Sequence, residues 1–215
     1  MMNLLWGASG LAALVYGLAL AGRDPSWLKT LVKVTATALL AVIAILQGAP
    51  WQLTGGLALC ALGDAFLAGN PRRWLPAGMA AFLLGHLFYI LLFTQLRDPG
   101  LEPNALQLGG LVAAGLADVA MLAFLWKHLG PLRPAVVLYV IAIAVMAGTS
   151  FLLDGWFWPA MVGSVAFMAS DAVLAISLFR EEKLFGSSNA THWAVWFLYY
   201  GAQVGIAWPF VSGGY

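Results

Sequence analysis

Residues 135–153 read AVVLYVIAIAVMAGTSFLL, from Ala135 to Leu153 without one Asp, Glu, Lys or Arg. A helix rises about 1.5 Å per residue and the hydrocarbon core of a bilayer is about 30 Å thick, so about 20 consecutive apolar residues cross it. This run has that length and that character. Working outward along the chain, comparable runs extend from Leu4 to Ala21, Leu28 to Gln47, Gln52 to Ala68, Trp74 to Gln95, Ala105 to Trp126, Trp158 to Leu178 and Trp193 to Val211, which makes eight. The breaks carry turn punctuation: Arg23-Asp24-Pro25, Ala49-Pro50, Asn70-Pro71-Arg72-Arg73, Arg97-Asp98-Pro99-Gly100 and Gly186-Ser187-Ser188-Asn189. No connection is long enough for a further domain. The sequence therefore predicts an all-α membrane protein, a bundle of eight transmembrane helices forming a single polytopic domain over residues 1–215.

Composition agrees. Of 215 residues only 9% are charged and 62% are hydrophobic, with a mean hydropathy of +0.89. Soluble domains carry about 25% charged residues, so a basic surface for nucleic acid has almost no material here. The single Cys60 excludes an intramolecular disulfide framework and a cysteine-based zinc site. The N-terminal stretch lacks a basic leader segment and a convincing small-residue cleavage site, and reads as a retained first helix.

Lys and Arg in short loops set orientation. Arg23 and Lys29 lie at the first connection, Arg72 and Arg73 at the third, Lys127 and Arg133 at the fifth, and Arg180 and Lys183 at the seventh; the even-numbered connections carry only Arg97. Both termini are thus expected on the non-cytoplasmic side. An internal echo pairs Gly63-Asp64-Ala65-Phe66-Leu67-Ala68 with Ser170-Asp171-Ala172-Val173-Leu174-Ala175, four helices apart. That offset preserves direction and is compatible with two parallel halves of four helices each; chance is the rival explanation, because Ala and Leu abound.

An ionisable group inside a bilayer costs about 2.5 to 3.5 kcal/mol on insertion scales and is a functional candidate by default. Asp64 and Asp171 lie toward the inner ends of their helices, Lys33 about a turn and a half into the second, and His86 near the middle of the fourth. Tyr89, Tyr139, Tyr199 and Gln203 add hydrogen-bonding groups at similar depth, and Asp118 is a further deep carboxylate. One polar cavity in the bundle core is the economical arrangement. The two aspartates either hydrogen-bond neighbouring helices or share a site divided between acid and base; their matching contexts favour the shared site. Lys33 either snorkels to the interface or pairs with an aspartate or a phosphate. His86 reads equally as a satisfied core histidine or a catalyst, and Asp118 has no partner in the echo.

Several chemistries lack their handles. His86, His128 and His192 show no compact ligand spacing, so no metal is expected. There is no Gly-x-Ser-x-Gly elbow, Walker loop or dinucleotide fingerprint. Ala61-Leu62-Gly63-Asp64 approaches the Gly-x-Gly-Asp motif of intramembrane aspartyl proteases without its first glycine.

The ordered set Lys33, Leu62-Gly63-Asp64 with Leu67, Gly78, Ala81-Phe82-Leu83-Leu84-Gly85-His86-Leu87-Phe88-Tyr89, Tyr139, Met146, Phe167, Ser170-Asp171 and Tyr199-Tyr200-Gly201-Ala202-Gln203 resembles the YhhN-type lysoplasmalogenase family over most of the chain. Val34 departs from it, since members often carry proline after the lysine. The resemblance implies hydrolysis of the vinyl ether bond of a lysoplasmalogen to a fatty aldehyde and glycerophosphocholine or glycerophosphoethanolamine, without metal or organic cofactor. Asp64 and Asp171 suit that reaction as an acid and base pair, with either residue in either role, acting on an oxocarbenium-like transition state as paired carboxylates do in glycosidases. Lys33, His86, Tyr89, Tyr139, Tyr199 and Gln203 would support them, and Arg72 or Arg73, which follow the Asp64 helix, would hold the phosphate. The partners expected are the lysolipid substrate and membrane lipid, with no nucleic acid. Compact loops point to a bacterial inner membrane. A solute or lipid transporter with aspartates as a proton relay, an intramembrane aspartyl hydrolase and a noncatalytic lipid-binding protein are the other readings.

Overall fold

The computed structural model describes residues 1–69, 71–100 and 102–212, with the side chains of Pro71 and Arg72 excepted. All regular structure among these residues is helical: α1 (Met2–Val15, prolonged by a π-helical turn Tyr16–Leu20), α2 (Trp27–Leu46), α3 (Trp51–Ala68), α4 (Pro71–Leu96), α5 (Ala105–Leu125), α6 (Arg133–Phe151), α7 (Trp158–Phe179) and α8 (Ser188–Val211). Each is long and apolar enough to cross a membrane. The protein is an integral membrane protein, and its connections alternate between two ends of the bundle. The end holding the α1–α2, α3–α4, α5–α6 and α7–α8 connections is called the basic end below.

Local chemistry sets the helix boundaries. Ser26 caps α2, accepting from the Lys29 amide at 3.2 Å, and Asn104 with Gln107 forms a reciprocal capping box on α5. Proline stands in the first turn of α6 and α7, where its missing N–H costs nothing. Two expected boundaries need correction. The fourth helix starts at Pro71 rather than Trp74, so most of the Asn70–Arg73 break is helical. The eighth starts at Ser188 rather than Trp193, because the Ser187 hydroxyl accepts from the Ala190 amide and caps a polar first turn that hydropathy alone assigns to a loop.

Successive helices other than α4 and α5 pack side by side, α3 on α4 and α7 on α8 most extensively, while α2 meets α8 and α4 meets α6 across the centre. Tyr89, Phe93, Phe167, Leu57 and Met146 are fully buried at this centre. Helix α5 is peripheral and buries only Ala114 and Leu125.

Candidate functional site

Helix α2 presents Lys29, Lys33 and Thr37 at intervals of four, hence as one stripe. The stripe faces the last turns of α3. The Lys33 ammonium stands 3.1 Å from Asp64 Oδ1, with the side chains 12% and 1% exposed, and Oδ2 accepts from Thr37 at 2.9 Å and from the Tyr199 hydroxyl of α8 at 2.8 Å. The rings of Tyr16 and Trp196 lie 5.6 and 5.7 Å from the same ammonium. Asp64 is therefore compensated on both oxygens by groups from two other helices.

Asp171 has a sparser setting. The Tyr139 hydroxyl of α6 donates to its Oδ2 at 2.6 Å, and among the described residues no cation pairs with it. The adjacent Ser170 hydroxyl donates to the Val195 carbonyl at 2.8 Å, which ties α7 to α8 at this level.

Two cavities meet at Asp171. The first is polar and opens among α1, α2, α7 and α8, with Lys29, Lys33, Asp64, Thr191, His192 and Tyr199 in its lining. The second runs between α4, α5, α6 and α7 and is apolar, with Met79, Met121, Leu125, Val136 and Ile143 in its wall and Asp118 and Tyr139 as further polar members. Asp171, Leu67, Phe82, Leu174 and Leu178 belong to both linings. The arrangement thus differs from the single polar cavity expected: the helix-spaced apolar faces of α4, α5 and α6 leave a hydrocarbon-like space beside the charged one.

The sequence candidates are distributed accordingly. Lys33, Asp64, Asp171 and Tyr199 line the polar cavity, and Tyr139 lines the apolar one. His86, Tyr89 and Gln203 line neither. Tyr89 donates to Gln203 Oε1 at 2.6 Å in the core beneath. His86 is fully buried with neither ring nitrogen hydrogen-bonded, its ring edge-on to Tyr139 at 5.1 Å and Phe167 at 4.7 Å. Asp118 lines the apolar cavity with Oδ2 buried and unpartnered. Arg73 lies over the Trp74 ring at 5.4 Å and lines neither cavity; the Arg72 side chain lies outside the described residues. Among the described residues no three His, Cys, Asp or Glu side chains gather into a set able to hold a metal ion. Sequence reasoning missed Tyr16, Thr37, Trp196, Lys29 and His192. The four-residue spacing from Lys33 was a signal for Lys29 and Thr37; the other three reach the site from distant segments.

The YhhN family profile matches residues 28–210. The chain belongs to the YhhN family. Among relatives of this YhhN protein, a lysoplasmalogenase of Mycobacterium tuberculosis is 31% identical, over 97% of this chain and 84% of its own length. Lysoplasmalogenase TMEM86B of Mus musculus is 34% identical over 73% of this chain and 66% of its own. Lysoplasmalogenase TMEM86A of Homo sapiens is 30% identical over 74% and 70%. No solved structure matches the chain.

Proposed function

We propose that this YhhN protein is a lysoplasmalogenase that hydrolyses the vinyl ether bond of a lysoplasmalogen, releasing a fatty aldehyde and glycerophosphocholine or glycerophosphoethanolamine. The observation that carries the reading is the position of Asp171 in the wall between an apolar and a charged cavity. A single-chain amphiphile has its vinyl ether at the same junction, between hydrocarbon tail and polar head.

The two carboxyls divide the work by their surroundings. Asp171, with one hydroxyl donor and no cation, is the acid; Tyr139 fixes Oδ2 and leaves Oδ1 to carry the transferable proton. Asp64, held by Lys33, Thr37 and Tyr199, is the carboxylate. The Asp171 proton passes to the outer vinyl carbon, and the carbon bonded to oxygen becomes an oxocarbenium centre stabilised by both carboxylates. Water adds there and gives its proton to Asp64. The hemiacetal then collapses as Asp64 returns that proton to the departing glycerol oxygen and Asp171 recovers one from the hemiacetal hydroxyl, so both groups end as they began.

Purified protein in detergent, incubated with lysoplasmalogen and assayed for aldehyde, tests this. Asp171→Asn and Asp64→Asn should each lower turnover by about 10² or more, the scale of general acid-base catalysis. The double variant should be scarcely slower than the worse single one, because the pair acts as a unit. Near-wild-type turnover in either single variant would remove that residue from the mechanism.

The proposal extends to the setting: one polytopic domain in a bacterial inner membrane, both termini outside the cytoplasm, and two parallel halves. Three observations support the halves. The shift of 107 residues from Asp64 to Asp171 also takes Gly56 to Gly163, each at a close helix contact. The α3–α4 pairing recurs as α7–α8, and the α2–α8 contact exchanges with α6–α4. The same shift takes Lys33 to Val140, which accounts for one carboxylate with a cation and one without.

A further inference from the structure

Two lysines and two aspartates line the polar cavity, and among the described residues they form one ion pair. Lys33 is matched by Asp64. Lys29, which lines the same cavity, makes two hydrogen bonds, to the carbonyls of Ala21 at 3.0 Å and Arg23 at 2.6 Å. An ammonium has three N–H donors, so these bonds fix the group at the end of α1 and leave one donor, with the Asp24 carboxylate within electrostatic reach. His192, from the first turns of α8, lines the same mouth. It is brought there by the close approach of α8 to Gly22: a Cβ on that glycine would stand 3.3 Å from His192 Nδ1 and 3.4 Å from Asn189 Oδ1. Lys29 and Lys183 are both within electrostatic reach of the His192 ring. The basic groups around this mouth thus come from α2, the α7–α8 connection and α8, and of these Lys29, Lys33 and His192 line the cavity.

We propose that Lys29 and His192 form a phosphate-binding site at the mouth of the polar cavity, with Lys183 adding to its field, and that this site seats the phosphodiester of the lysolipid head. The proposal rests on the lysoplasmalogenase reading for the identity of the lipid, and on the residues above for the anion. Phosphate is the fitting ligand because it offers several acceptor oxygens to donors that arrive from different directions, and charge-assisted bonds of this kind are the strong ones. The site lies on the basic end of the bundle and on the polar side of Asp171, so a seated head sends its chain past Asp171 toward the apolar cavity. It also relieves Lys33 of any phosphate role, since that ammonium is already matched.

Two substrates separate the phosphate contact from the chemistry: a lysoplasmalogen, and the 1-alkenylglycerol of the same chain, which has the vinyl ether and no phosphate. In wild type, KM for the lysoplasmalogen should be the lower. In Lys29→Met the ratio of KM for lysoplasmalogen to KM for alkenylglycerol should rise about tenfold, as the loss of one charge-assisted hydrogen bond requires, and His192→Leu should raise it severalfold, roughly half that change on a logarithmic scale. Turnover of the alkenylglycerol reports intact folding in each variant. Should Lys29→Met fail to accumulate because the end of α1 loses its anchor, the ratio in His192→Leu decides alone. An unchanged ratio in the variants that accumulate overturns the site. Inorganic phosphate distinguishes a free anion from a lipid head: competitive inhibition of alkenylglycerol hydrolysis in wild type and its loss in His192→Leu mark a general phosphate site, whereas inhibition by glycerophosphoethanolamine alone marks a site completed by the lipid head. If wild type releases no aldehyde from either substrate, the lysoplasmalogenase reading fails, and calorimetric binding of glycerophosphoethanolamine to wild type and His192→Leu still decides the anion site.

Discussion

Lys33 and Asp64 form a buried ion pair, and the proposed chemistry of Asp64 depends on the same contact that bears on stability. Bringing two charges out of water is costly, and removing one partner leaves the other uncompensated, which costs about 3–5 kcal/mol for a buried pair. Here the ammonium also faces two aromatic rings and the carboxylate two hydroxyls, so each charge is satisfied only while both are present. Lys33→Met should therefore lower unfolding stability in detergent by about 3–5 kcal/mol, followed by chemical denaturation. Joint replacement of Lys33 by Met and Asp64 by Leu should recover most of the loss while remaining inactive. A loss below about 1 kcal/mol in Lys33→Met would mean that the pair behaves as an exposed one. Asp171 lacks such a partner, and in the proposed mechanism this contrast between two residues in similar sequence contexts sorts acid from carboxylate.

At the scale of the element, α7 delivers Asp171, and its placement depends on a backbone contact with α8. A Cβ on Gly163 would stand 2.7 Å from the Ala202 carbonyl oxygen and 2.8 Å from the Ile206 nitrogen, both backbone atoms that cannot turn aside. Small residues permit this approach, as at close helix crossings in membranes generally. Gly163→Ala should push α7 from α8, costing about 1–3 kcal/mol and lowering turnover by loosening the Asp171 setting; thermal unfolding and aldehyde release measured on the same preparation check both. An unchanged melting temperature would show that the helices can part without strain. The contact exemplifies what the sequence does and does not reveal. Eight apolar runs are legible because a bilayer imposes one length and one composition on each helix. The start of α8 is not, because its first turns are polar: Asn189 lies against Gly22 and His192 lines the cavity while Ser187 caps the helix. Asp64 and Asp171 stand out as charges in apolar surroundings, whereas Tyr16, Trp196 and His192 resemble any interfacial aromatic or polar residue until folding brings α1 and α8 to the same mouth. Which groups meet across helices is fixed by packing over separations such as the 135 residues between Asp64 and Tyr199, and no local pattern encodes it.

For the whole molecule, the cavity and the basic connections share one end, and this couples orientation to function. Lys29 joins the end of α1 to the cavity lining, and Lys183 is within electrostatic reach of His192, so two of the basic residues at the odd-numbered connections also act on the cavity. The eight-to-one excess of Lys and Arg at the odd-numbered connections is the basis for the proposed cytoplasmic placement of that end; under that proposal the inner leaflet supplies the lysolipid. Single cysteines in a Cys60→Ala background can read this directly, with Asn3→Cys near the start of α1, Ser212→Cys after α8, and Ser188→Cys at the α7–α8 connection, all three at exposed positions. In intact spheroplasts a membrane-impermeant maleimide should label the first two and spare the third; after permeabilisation all three should react. Labelling of Ser188→Cys in intact cells with protection of the other two would invert the bundle and place the cavity mouth at the outer leaflet. Labelling of all three from one face would break the alternation of eight crossings, on which the meeting of Lys33, Asp64 and Tyr199 at one depth depends.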